Sequence, residues 1–191
     1  MRLPATLAVL ALLAPLFAPA TADADDPFSA FGGLAVYGTG WDGDYAAVGL
    51  GGRARLEMGE TIGVDLFAEV ADVEIPRTVR RDLVVGFDLY MPFSIVPRVR
   101  IRPMFGFCAD FSFVEPHHDL APRADDIGFG IHAGAGVEVG LGSQWSVFAD
   151  VQQVAWFGHD RSASEWTGSL DGDIELSTLT QGRVGLQLHL F

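Results

Sequence analysis

From about residue 29 onward, apolar residues alternate with small or polar ones, and clusters of turn-forming residues divide the alternation into segments. Eight such segments are legible, at about 29–38, 45–57, 61–72, 82–93, 98–114, 127–141, 144–157 and 177–191. Their connections alternate in length. Gly59-Glu60, Ser94 to Pro97 and Gly142-Ser143 are short, whereas 39–44, 73–81, 115–126 and 158–176 are longer. No stretch shows helical periodicity of useful length. The pattern predicts an all-β fold, an eight-stranded antiparallel up-and-down β-barrel with tight turns at one end and four longer loops at the other.

Alternation alone does not say which face is inside, and the residue types decide it. In the sixth segment one face carries Ile127, Phe129, Ile131, Ala133, Ala135, Val137, Val139 and Leu141. The opposite face carries Gly128, Gly130, His132, Gly134, Gly136, Glu138 and Gly140. Five glycines on a solvent-exposed face would weaken a strand for no gain. Inside a narrow barrel they leave room for long side chains crossing from the far wall. The fifth segment supplies such chains, with Arg98, Arg100, Arg102 and Asp110 opposite Val99, Ile101, Phe105, Phe107, Phe111 and Phe113. A row of phenylalanines suits lipid better than a soluble pocket crowded by seven other strands. A lipocalin-style soluble barrel, apolar inside, is therefore disfavoured. A transmembrane barrel with short periplasmic turns and external loops is expected.

The other segments agree in phase. Val48, Leu50, Ala54 and Leu56 oppose Arg53, Arg55 and Glu57, and Val64, Leu66, Ala68 and Val70 oppose Asp65 and Glu69. Leu83, Val85, Phe87, Leu89, Met91 and Phe93 oppose Asp88 and Tyr90, and Trp145, Val147, Ala149 and Val151 oppose Asp150 and Gln152. After Gln153 the phase blurs, and a bulge is expected there. Aromatic residues gather at segment ends: Tyr37, Trp41, Tyr45, Phe111, Phe113, Trp156 and Phe157 at the long-loop end, Phe93 and Trp145 at the other. These positions predict interfacial girdles.

The first residues read differently. Arg2, the apolar run Leu7 to Leu13, and small residues at Ala18-Pro19-Ala20 or Ala22-Asp23-Ala24 predict a secretory signal peptide over 1–24, leaving a barrel domain over 25–191. Pro4, Pro15 and Pro19 interrupt the apolar stretch, which disfavours an N-terminal membrane helix. Beyond it no run of 18 apolar residues offers a helical span. The formal net charge of -13, with all twelve basic residues arginine, argues against nucleic acid as a partner. The single cysteine, Cys108, forms no internal disulfide and lies too far along the chain to carry an N-terminal lipid anchor.

With these residues in view, the chain resembles the OmpA/OmpX-like family of small outer-membrane barrels. The stretch from Ile127 to Gln153 (IGFGIHAGAGVEVGLGSQWSVFADVQQ) is similar to that family's penultimate hairpin, a glycine-rich strand, a short polar turn and a strand opening on Trp-Ser. The chain also ends on Phe191, and the resemblance implies that this last strand serves as a signal to the outer-membrane assembly machinery. One feature departs from the family. The positions in phase with Phe191 are His189, Gln187 and Gly185, while Val184, Leu186, Leu188 and Leu190 form the opposite face. The resemblance implies an outer-membrane location in a Gram-negative bacterium. It specifies an architecture more than an activity.

The predicted interior holds Arg53, Arg55, Arg98, Arg100, Arg102 and Arg183 against Glu57, Asp65, Glu69, Asp88, Asp110, Glu138 and Asp150. Buried charges demand partners, so a packed salt-bridge core is expected, with a polar channel as the alternative. The basic segment Pro76 to Asp82 offers Arg77, Arg80 and Arg81 as contacts for lipopolysaccharide phosphates. His117-His118-Asp119 and His159-Asp160 sit in expected loops, where solvated surface is a better reading than a metal site. His159 and Ser162 have a His-x-x-Ser spacing, one residue longer than the His-x-Ser pair of lipid A deacylase barrels, and no aligned acid. No metal or cofactor is expected. The function expected is a non-enzymatic barrel serving envelope integrity or surface interaction through its loops, with a narrow solute channel as the alternative and a lipid-modifying enzyme less favoured.

Overall fold

A computed structural model describes Phe28 and residues 32–58, 61–75, 78–116, 124–158 and 175–190. The strands are β1 (Gly32–Gly43), β2 (Ala47–Met58), β3 (Ile62–Ile75), β4 (Thr78–Tyr90), β5 (Phe93–Val96), β6 (Val99–Pro116), β7 (Ala124–Gly140), β8 (Trp145–Gly158) and β9 (Glu175–His189). All neighbours pair antiparallel, in the order β4-β3-β2-β1-β9-β8-β7-β6-β5, and a β4–β6 pairing closes the ring. β4 and β5 share one place beside β6, so nine strands make an eight-stranded closed barrel. The interruption falls at Met91-Pro92, with Pro103 facing it; two prolines at one level remove ladder donors. The Met91 amide still donates to the Pro103 carbonyl at 3.1 Å.

The register fixes the tilt. Moving around the ring, Asp42 lies beside Thr180, then Gln153, Ala133, Phe105, Leu89, Val64, Leu56 and finally Gly32. One circuit thus descends ten residues of β1, from 42 to 32. Such a stagger closes an eight-stranded sheet around an interior just wide enough for its own side chains.

The faces follow the sequence phase. Leu34, Val36, Val48, Leu50, Leu66, Phe87, Phe105, Phe107, Phe129 and Val184 project outward, and the glycines Gly128, Gly130 and Gly136 point in. The inward glycines make room for large neighbours: a Cβ at Gly136 would strike the Asp150 carboxylate, and one at Gly63 the Tyr90 ring. In β9 the outer row is Val184, Leu186 and Leu190, and the inner row is Arg183, Gln187 and His189. Phe191 lies outside the described residues, as does the expected signal peptide over 1–24.

Several expectations are corrected. Two of the connections expected to be long are short. β1 and β2 are joined through 44–46, and β3 and β4 through 76–77, because these ladders continue past the apolar band with Asp42 beside Thr180 and Asp72 beside Arg81. Polar outward side chains do not stop a backbone from pairing, so strand ends there read as loop. No bulge follows Gln153: β8 pairs β9 in unbroken register, and Val154 and Trp156 point inward. Tyr37, Trp41 and Trp156 are buried in the lumen rather than set in a girdle. Arg98 is not on the inner face of a strand. It sits in the Pro97-Arg98 turn with φ at 69°, the left-handed conformation that the position after a turn proline favours.

Candidate functional site: the filled lumen

The interior is layered from the turn end to the loop end. Nearest the turns, Arg100 on β6 reaches Glu57 on β2 at 3.2 Å, and the Tyr90 hydroxyl donates to the same carboxylate at 3.2 Å. His189 on β9 meets Ser146 at 2.9 Å and Glu138 at 3.3 Å, and Ser146 donates to Glu138.

Above this layer three arginines and three carboxylates interlock. Arg55 donates to Asp65 at 2.9 Å and to Glu138 at 2.7 Å. Arg53 donates to Asp150 at 2.8 Å and lies 3.3 Å from Asp65. Arg102 reaches all three acids: Asp150 at 2.8 Å, Asp65 at 3.4 Å and Glu138 at 3.4 Å. Phe148 supports the cluster, its ring centre 3.6 Å from the Arg53 guanidinium carbon. Higher still, Arg183 bridges Glu69 and Asp88 at 3.2 Å each and lies 4.0 Å from the centre of the Phe67 ring. Gln181 binds Glu69 and His132 binds Asp88. Each of these ions comes from a strand different from its partner's, so the network pins the wall across the lumen. Removing both partners of a buried pair can be neutral, but removing one leaves an uncompensated charge that costs about 3–5 kcal/mol.

The network then stops. Trp41, Ala47, Phe67, Ala71, Val73, Val84, Cys108, Val154, Trp156 and Leu179 form an apolar cluster across the upper lumen, with Tyr45 packed against it. Trp41 and Trp156 stand with ring centres 6.4 Å apart. At the level of this layer and above it, Arg80 binds Asp82 at 2.7 Å and lies 3.9 Å from Asp110, with Ser112 beside Asp110 at 3.4 Å.

The candidate interior residues therefore divide. Arg53, Arg55, Glu57, Asp65, Glu69, Asp88, Arg100, Arg102, Glu138, Asp150 and Arg183 form the lower network, while Asp110 belongs to a separate rim cluster. Arg80 is corrected: it is buried in the lumen on Asp82 and cannot meet lipopolysaccharide. Its place follows from β4 running two turns of alternation further than the apolar pattern shows. Arg81 faces outward, 61% exposed, and pairs Asp72 at 2.9 Å. Arg77, His117, His118, His159 and Ser162 lie outside the described residues. Asp82, Val154 and Trp156 were missed as lumen residues. Strict continuation of the odd–even phase through each strand end is the signal that finds them.

Ser146, His189 and Glu138 invite comparison with a hydrolytic triad, and their geometry disagrees. Serine and carboxylate both meet the same nitrogen, Nε2, so the acid does not orient the imidazole from behind. The Ser146 hydroxyl is also fully buried and already donates to Glu138. Among the described residues no group of three His, Cys, Asp or Glu could hold a metal ion.

A closed antiparallel barrel, apolar outside and ionic within, defines a small transmembrane barrel of the Gram-negative outer membrane. The chain belongs to the outer membrane protein beta-barrel domain family, whose model matches residues 6–182. Among solved structures it is similar to Neisserial surface protein A, at 10% identity and a TM-score of 0.58, covering 83% of this chain and 96% of that one. A major outer membrane protein from Thermus thermophilus aligns at 12% identity and 0.52, over 83% and 99% of the two chains. The attachment invasion locus protein Ail of Yersinia pestis aligns at 11% and 0.50, over 82% and 96%. At these identities the likeness is one of fold. Among curated protein sequences nothing matches this chain.

Proposed function

We propose that this chain is a non-enzymatic outer-membrane barrel with a packed interior, serving envelope integrity or surface interaction through its external end. The observation that carries this reading is the double filling of the lumen. Five arginines and six carboxylates interlock below, and an apolar layer with two tryptophans lies directly above them. A hydrated ion entering from outside would meet an apolar cluster whose level holds only the buried Arg80, Asp82, Asp110 and Ser112 group, then a network whose charged groups are already bound to one another. The side chains of Ser112, Ser146, His132 and His189 are held in hydrogen bonds within the lumen, which favours a structural role over a hydrolytic one.

One structural relative, Ail, has been solved with a heparin analogue, sucrose octasulfate. A polyanion is a poor match for this chain, with its net charge of -13 and Asp42, Asp44 and Asp72 exposed near the outer rim. Contact with lipopolysaccharide, if made by the basic segment, rests on Arg81 among the described residues. Planar-bilayer recording of the purified barrel tests the proposal: the expected trace is silent. Steady, reproducible conductance would overturn the packed-lumen reading in favour of a narrow solute channel. A changed acyl pattern of lipid A in cells producing the protein would instead favour an enzyme.

A further inference from the structure

Phe28 stands apart from the barrel wall in sequence yet is only 5% exposed. Three contacts hold it at the turn end of the lumen. The Arg100 Nη2 donates to the Phe28 carbonyl oxygen at 2.8 Å, and the Arg100 guanidinium carbon lies 4.0 Å from the centre of the Phe28 ring. The edge of the ring meets His189, with centroids 5.9 Å apart and planes at 81°. Both partners are themselves fixed, Arg100 by Glu57 and His189 by Ser146 and Glu138.

We propose that the periplasmic mouth of the lumen is a peptide-binding site, filled in cis by Phe28. The ligand class is a peptide presenting an aromatic ring and its own main-chain carbonyl. Arg100 reads both features at once, by cation–π contact and by a charge-assisted hydrogen bond. His189 supplies the edge-on wall. The tether between Phe28 and the start of β1 at Gly32 is three residues, so the ring sits at an effective concentration on the order of millimolar or above. Occupancy by Phe28 shields the lowest layer of the ion network from periplasmic water.

The experiment uses the full barrel in detergent with a cysteine at the fully buried Ser146 (Ser146→Cys) and Cys108→Ser to remove the native thiol. A small cationic methanethiosulfonate reagent reports access to the mouth. Labelling is expected to be slow with Phe28 present and about tenfold faster after Phe28→Ala, as for a local opening. A peptide of residues 25–31 (DDPFSAF), added at millimolar concentration, is expected to restore protection, and the same peptide with Phe28→Ala is not. Unchanged labelling after Phe28→Ala overturns the proposal. Faster labelling that the peptide fails to reverse also overturns it, reducing Phe28 to filler. Where Phe28→Ala loses the heat-resistant fold, Phe28→Leu carries the same comparison, because it keeps bulk and loses the cation–π contact. Native Cys108, in a barrel carrying only the Phe28 change, is expected to stay unlabelled; its labelling would mean that the whole lumen had loosened, and would equally sink the proposal.

Discussion

The lower and upper lumen fill the same cross-section with opposite chemistry. Below, arginine and carboxylate side chains reach across the axis and are held by partners on distant strands. Above, Trp41, Trp156, Val154 and Leu179 meet in an apolar cluster, and the charges at that level, Arg80, Asp82 and Asp110, keep to one another. The lower half depends on matched pairs and gains specificity of register from them; a single deletion leaves an orphaned ion. The upper half depends on volume and is non-directional, so its losses scale with the cavity created. A narrow barrel can be blocked either way, and this one uses both in series.

The sharpest test of the contrast is Arg102→Ala. It strands Asp65, Glu138 and Asp150 in a space that offers them less positive charge, and the expected loss is about 3–5 kcal/mol, read as a lower urea midpoint of the heat-resistant band. A loss below about 1 kcal/mol would mean that water already reaches the network. In the upper half, Trp156→Ala is expected to cost about 3 kcal/mol through cavity formation while leaving bilayer recordings silent. Steady conductance from that variant would show that the apolar layer alone is the barrier, and the series arrangement would fall.

How far this division could be read from sequence depends on the same chemistry. In the lower half, glycine and arginine alternate with aliphatic residues, so Arg53, Arg55, Arg102 and Glu138 announce the inner face by their charge. Along the upper end of β8 both faces are apolar. Val154 and Trp156 point in while Ala155 and Phe157 point out, and hydrophobicity carries no phase there. The outward polar residues Asp72 and Arg81 made the opposite error, since they mark a strand that has left the membrane and read as loop. Phe28 had no signal at all: a lone aromatic ahead of the first strand gives no hint of a lumen contact.

Two smaller effects sharpen the comparison further. Gly136→Ala pushes a methyl group into the Asp150 carboxylate and is expected to cost about 1–3 kcal/mol, whereas Gly38→Ala, which meets nothing within 4 Å on the outer wall, is expected to be near neutral by the same urea titration. Arg81→Ala, breaking an exposed pair, is expected to change stability by less than about 1 kcal/mol, with the difference shrinking in high salt.

The pairing of β1 with β9 joins the earliest and latest strands of the chain along an unbroken ladder from Gly33–His189 to Gly43–Leu179. Until β9 emerges, β1 presents a row of unsatisfied amides and carbonyls that any other strand could take. A ring of this connectivity cannot close before β9 is present, so an unclosed barrel carries an edge on β1 that must be sheltered if the product is to be a ring and not an aggregate.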